Sequence, residues 1–218
     1  MKPPIGGRPS GRRVFRGRVV RCVAAFTLVE LLIVLAIAAL LLTFGIPALN
    51  KLIARSKLEG QARMLSVLVG RARNEAVTLG VETVVVLDGD AFFAFADLDG
   101  AGASDPPDGL FNPVAGNPHR TTDWRLDHQP LDQVVTVAGP SGQPAVAGLV
   151  NAGRADGRII FNPDGSLFST GGIRLSDPRG NHLEVAVGPR ATGQVTLLKW
   201  DGTAWREQGE QGESWQWN

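Results

Sequence analysis

Cysteine is nearly absent from this chain of 218 residues: the one present, Cys22, lies in the basic N-terminal segment, and beyond it no disulfide or thiolate metal site can be built. Histidine is scarce too, and His119, His128 and His182 lack metal-ligand spacing. The first two read as loop residues and the third as a strand or turn residue. Ser166, Asp164 and His182 make a triad only by free selection, without a nucleophile elbow. Glycine is plentiful, yet neither residues 139–142 nor Gly171-Gly172 form a phosphate-binding fingerprint ahead of a helix. These absences exclude an enzyme, and the expectation is no catalytic residue and no cofactor.

Acids are missing from the first 25 residues, which hold Lys2, Arg8, Arg12, Arg13, Arg16, Arg18 and Arg21. An apolar run, FTLVELLIVLAIAALLLTFGIPAL, follows at residues 26–49 with Glu30 as its one charge. The nineteen residues 31–49 carry no formal charge, and at about 1.5 Å of rise per residue they match the hydrocarbon core of a bilayer. The run predicts one transmembrane helix. The basic excess before it predicts a cytoplasmic N-terminus and an external C-terminal part. An ordinary signal cleaved near Ala36-Ile37-Ala38 and an uncleaved signal anchor are the competing readings. Neither accounts for a carboxylate five residues into an apolar segment, where a lone charge marks a partner or a function.

Residues 50–79 continue in helical pattern. Leu58, Ala62, Leu65, Val69, Ala72, Ala76 and Leu79 recur at alternating spacings of four and three, one face of an amphipathic helix, and Gly80 is the stop. Gly45 and Pro47 predict a kink within it, since proline lacks a donor and crowds the preceding turn. Past Gly80 the pattern turns to strands. Residues 82–87 and 91–96 flank Asp88-Gly89-Asp90, a hairpin signal. Residues 97–130 read as a long surface excursion. Shorter runs follow at 134–138, 158–162, 166–169, 173–175, 182–187, 194–200 and 203–206, separated by turns such as Asn162-Pro163-Asp164-Gly165 and Asp201-Gly202. A mostly antiparallel β domain is expected to cover the helix face.

The string Ala25-Phe26-Thr27-Leu28-Val29-Glu30-Leu31-Leu32-Ile33-Val34 resembles the N-terminal signature of type IV pilins and type II secretion pseudopilins. Residues 157–166, GRIIFNPDGS, and Asp97-Leu98-Asp99-Gly100 resemble the β domain of minor pseudopilin H and the FimT minor pilins. The resemblance implies an α+β, pilin-like fold: a long N-terminal transmembrane and amphipathic helix packed on a mostly antiparallel β-sheet. It implies a leader at 1–25, a transmembrane helix at 26–49, a periplasmic helical continuation at 50–80 and a periplasmic β domain at 81–218. A prepilin peptidase would cut between Ala25 and Phe26 and methylate the Phe26 amine; the family usually has glycine where Ala25 stands. Thr27 would cap the new terminus, and Glu30 would neutralise the N-terminal amine of a neighbouring subunit during assembly. Removing seven of the 22 basic residues leaves 15 against 21 acids, so the processed chain would carry about −6.

The function so implied is that of a minor pseudopilin near the tip of a type II secretion pseudopilus in the bacterial inner membrane. Its implied partners are other major and minor pseudopilins, the peptidase, the inner-membrane assembly platform and a secreted substrate. The alternative is a FimT-like minor pilin assisting pilus assembly or DNA uptake. DNA would need a cationic surface, for which Arg154, Arg158, Arg174, Arg179, Arg190, Lys199 and Arg206 are candidates. Against it stands the acidic, tryptophan-bearing C-terminus, with no Lys or Arg after Arg206. Asp97, Asp99 and Asp105 suggest a calcium loop, although Asp108 stands where a full loop needs glutamate, and an Asx-turn-rich solvated loop is the other reading.

Overall fold

The computed structural model describes residues 27–98, 109–111, 123–207, 215 and 217. Its one helix among these is α1 (Leu28–Leu79). In chain order the strands are β1 (Glu82–Asp88), β2 (Ala91–Asp97), β3 (Trp124–Pro130), β4 (Thr136–Val137), β5 (Val146–Gly148), β6 (Ile159–Phe161), β7 (Gly171–Ser176), β8 (His182–Val187), β9 (Val195–Trp200) and β10 (Trp205–Glu207). The chain divides into two compact units, Met1–Gly45 and Ile46–Asn218.

In the second unit α1 buries a stripe, and the stripe organises everything else. Leu58, Ala62, Leu65, Val69, Ala72 and Ala76 are inaccessible to solvent, joined by Ala54 and Leu68 at the same helical spacings. Leu79 is 39% exposed, because α1 ends there: the Gly80 amide closes onto Ala76 O at 2.9 Å, and Gly80 takes the left-handed φ of 66° that glycine adopts without strain.

Two antiparallel sheets supply the rest of that core. One has the order β3-β2-β1-β6; the other runs β10-β9-β8-β7-β4, with β5 beside β4 on the same edge of β7. Val85, Phe92 and Ala94 of the first sheet and Ile173, Leu175, Leu183 and Val185 of the second join the helix stripe in one cluster. Strand alternation sends Val84, Phe93 and Phe95 to the opposite face of the first sheet, where they bury with Ile160 against Phe111 and Phe168. The first sheet is therefore apolar on both faces, which is why every residue of β2 is buried. Polar bonds fix the helix to its cover. Thr83 Oγ1 donates to Ala72 O at 2.9 Å, Arg73 Nε to Gly165 O at 3.0 Å, and Arg71 pairs with Asp127 at 2.7 Å.

The transmembrane helix expected at 26–49, and with it the single-pass placement in the inner membrane, is overturned: among the described residues no helix is long and apolar enough to cross a membrane. Glu30 bounds the apolar run at its start, and the run is one part of a helix that continues to Leu79 with charged residues from Lys51 onward. Gly45 and Pro47 both lie within α1.

Two strands stand where none is expected. β3 occupies the end of the supposed excursion and pairs with β2 across a bulge at Ala94/Phe95, and β5 adds three residues to β7. The run at 166–169 reduces to a bridge between Phe161 and Leu167.

Truncating the stripe has a definite expected outcome. Leu58→Ala and Leu65→Ala each lower the unfolding free energy by about 2–5 kcal/mol in urea titrations, while Leu79→Ala costs under about 1 kcal/mol. Equal losses at all three positions would contradict the stripe.

Candidate functional site

At its start α1 is capped. The Glu30 amide donates to Thr27 Oγ1 at 3.2 Å and the Leu31 amide to Thr27 O at 3.2 Å, so Thr27 is the N-cap and Glu30 occupies the third helical position. That T-x-x-E spacing is a capping-box pattern, and an acid in the first turn complements the positive end of the helix dipole. Among the described residues no cation pairs with Glu30. Around it the helix is apolar and its large described side chains are exposed: Leu28 is 74% exposed, Leu41 69%, with Val29, Leu32, Leu35 and Ile37 between them. An exposed apolar surface of this kind marks an interaction site. Ala25 and Phe26 lie outside the described residues.

In the second unit most of the candidate cations are committed internally. Arg174 Nε lies 2.6 Å from Glu184 Oε2, both buried; its Nη1 donates to Pro144 O, and its guanidinium lies over the Trp205 ring at 4.9 Å. Arg154 pairs with Glu82 at 2.9 Å, and burial raises the pKa of Glu82 although Arg154 pulls it down. Lys199 is buried against the Trp217 ring at 4.9 Å, with Arg55 over the same ring at 4.6 Å, and burial lowers the lysine pKa. Arg206 bonds Asp201 at 3.0 Å. Arg158 donates to Asp156 O and Arg190 to Leu167 O; Arg179 is exposed. Arg174, Arg154 and Lys199, held in this way, are not available to a phosphate-tracking stripe.

The remaining candidates also have local roles. Asp164 accepts from the Ser166 amide and Ser166 Oγ from Asn162 Nδ2, and among the described residues no contact links either to His182. Burial lowers the pKa of His182. Asp97 Oδ2 accepts from the Gly109 amide at 2.7 Å. Asp99 and Asp105 lie outside the described residues, and among those described no three ligand groups converge on a metal position.

Of the two readings open for the C-terminal tryptophans, packing against the β domain or a protein interface, Trp215 and Trp217 take the first: they pack edge to face, 6.2 Å between centroids, against the main core. The aromatic spacing W-x-W after a glycine-rich stretch was the available signal.

Comparison with protein families finds two matches. A family described as type II transport protein GspH matches residues 61–193, and the prokaryotic N-terminal methylation motif matches residues 20–46. No curated protein and no solved structure matches the chain. The first match covers the buried half of α1 and the strands through β8; the second covers the capped start.

A pH dependence follows from the turn between β9 and β10. Asp201 accepts from the Ala204 and Thr203 amides, both at 2.7 Å, from Thr203 Oγ1 and from Arg206 Nε. These donors, the Ala204 amide foremost, hold its carboxyl far below the ordinary 3.8. A folded pKa below the unfolded one gives stability that is present above about pH 4 and lost as pH falls through it. Asp201→Asn removes this contribution, so between about pH 6 and about pH 3 its urea midpoint should fall less than that of the unmodified chain. Parallel losses would contradict the assignment.

Proposed function

The chain belongs to the GspH family of type II transport proteins, whose members are minor pseudopilins of type II secretion, and from that membership we propose how its two halves divide the work. It is a structural subunit and not an enzyme, and its partners are other pseudopilins. The exposed apolar start of α1 packs against the corresponding helices of neighbouring subunits in the pseudopilus. Ala25 and Phe26 are the peptidase cleavage site, and Phe26 carries the methylated amine. Glu30 receives the N-terminal amine of the adjacent subunit, and Thr27 orders the turn that presents it.

The single observation carrying this reading is a capped Glu30, without a cationic partner among the described residues, at the head of an apolar helical stretch whose large side chains are exposed. Such a carboxylate favours a cationic partner once other helices cover it and exclude water. Gly45 and Pro47, which lie within the continuous α1, are the positions where the helix would bend during packing. The β strands, held by the buried stripe, present contacts near the filament tip to other minor subunits, to the assembly platform or to a secreted protein.

Mass spectrometry of the N-terminus of the native protein tests the processing. A chain starting at N-methylated Phe26 is expected; retention of residues 1–25 would sink the proposal. Glu30→Ala should leave cellular levels unchanged while reducing recovery in the sheared filament fraction by about ten-fold or more, the loss of one desolvated ion pair. Unimpaired incorporation would remove Glu30 from the assembly role.

A further inference from the structure

A cleft of about 380 Å³ opens between the β5–β6 connection and the residues leading into β7, lined by Leu149, Val150, Phe168, Ser169, Thr170 and Arg190. That volume lies within the range of ligand-binding clefts. Its walls are held with unusual rigidity. Leu149 is a fully buried non-glycine residue at φ 56°, a left-handed conformation that persists only where the surroundings impose it. They do so here: the Leu149 amide donates to Thr170 O at 3.0 Å, and Leu149 O accepts from the Gly157 amide at 3.0 Å and from Asn151 Nδ2 at 3.1 Å.

Asn151 is the pin. It is fully buried, and its amide side chain reaches Leu149 O, Ala155 O and Arg158 O while accepting from Ser169 Oγ at 2.5 Å. One side chain thus ties both walls of the cleft together. The strained Leu149 turns the next residue outward, leaving Val150 71% exposed at the rim.

Arg190 supplies the charge. Its Nε donates to Leu167 O at 2.9 Å and its guanidinium lies 5.8 Å from the Phe168 ring centroid, so the fork is fixed in place. Among the described residues no carboxylate pairs with it. The nearby Arg154, over the same ring at 5.2 Å, is already neutralised by Glu82. One uncommitted, oriented guanidinium beside an aliphatic wall and a hydroxyl suits one planar carboxylate next to an apolar group, held bidentate. A phosphate backbone needs several cations in a row.

We propose that this cleft binds a carboxylate of another polypeptide, either an acidic side chain or a chain terminus, with Arg190 as the anchoring group and Val150 as the apolar rim. The site is independent of the helix start that joins subunits, so it gives the β-sheet unit a contact of its own.

The test is fluorescence anisotropy on the full-length chain in mild detergent with three labelled probes: an Ala-Leu-Val-Glu-Ala peptide with an amidated end, an Ala-Leu-Val-Ala peptide with a free terminal carboxylate, and the same short peptide amidated. Binding of the first identifies a side-chain carboxylate, of the second a chain terminus, and of both the shared chemistry; the third should not bind. Arg190→Gln is expected to weaken binding by about ten-fold or more, with Arg179→Gln as the unaffected control. Val150→Asp, at an exposed position, should cause a similar loss by placing a competing carboxylate beside Arg190. Unchanged thermal unfolding of both variants excludes a folding defect, and each variant reads independently. Failure of both acidic peptides to bind, binding that survives Arg190→Gln, or tighter Arg190-dependent capture of a phosphopeptide or a DNA oligonucleotide would overturn the proposal.

Discussion

Everything in the β-sheet unit depends on how closely two sheets can approach one stripe of α1. Ala54, Ala62, Ala72 and Ala76 alternate along it with Leu58, Leu65, Leu68 and Val69, so small positions admit neighbouring backbone where large ones fill the space between sheets. Thr83 shows how tight the fit is. Its hydroxyl, on β1, donates to the buried Ala72 carbonyl of the helix. A bulkier residue at 72 would push β1 away from the helix and open the core cluster on both sheets.

The same helix meets opposite conditions along its length. From Ala54 onward the stripe is covered by Phe92, Leu175 and Val185; at its start leucines, valines and isoleucines stand exposed on every side. Helical hydrogen bonding is satisfied internally in both parts, so the backbone gives no reason for the difference. The difference lies in the side chains. A stripe on one face needs one covering layer, which this chain supplies itself, whereas a surface apolar all round needs neighbours on all sides, which one chain of this design does not supply. Filament subunits have that requirement, and their neighbours are copies and relatives of the same helix.

The readable part of this architecture was the part with a period. The spacing from Leu58 to Ala76 located the buried face, and Asp88-Gly89-Asp90 located the hairpin, with Gly89 at φ 62° between β1 and β2. β3 was not readable because Trp-Arg-Leu-Asp-His-Gln-Pro has neither alternation nor β-branched residues. It lies at the edge of its sheet, where Pro130 is tolerated, and takes its conformation from β2 instead of from its own propensities. β5 is three residues long and exists through β7 alone. The uncharged composition of residues 31–49 suggested a span, but among the described residues no helix is long and apolar enough to cross a membrane. At the helix start the T-x-x-E spacing was visible in the string, and the Thr27 cap is its geometric expression. The cleft at Arg190 was invisible, since its walls come from two segments distant in sequence, joined by the Leu149–Thr170 and Asn151–Ser169 hydrogen bonds, and its strain sits on an ordinary leucine.

The charges follow a related logic. A cation buried with a partner is spent: Arg174 on Glu184, Arg154 on Glu82, Lys199 under Trp217. Breaking such a pair leaves a buried charge uncompensated, so these residues stabilise one arrangement of the sheets and are poorly placed to recognise anything else. Recognition needs a charge that is oriented but not yet satisfied. Glu30 meets that condition at the start of α1, held by a cap and, among the described residues, facing no cation. Arg190 meets it in the second unit, held by Leu167 O and the Phe168 face. The two have opposite signs and are ordered by bonds that leave their charge intact, as a subunit with more than one kind of neighbour requires.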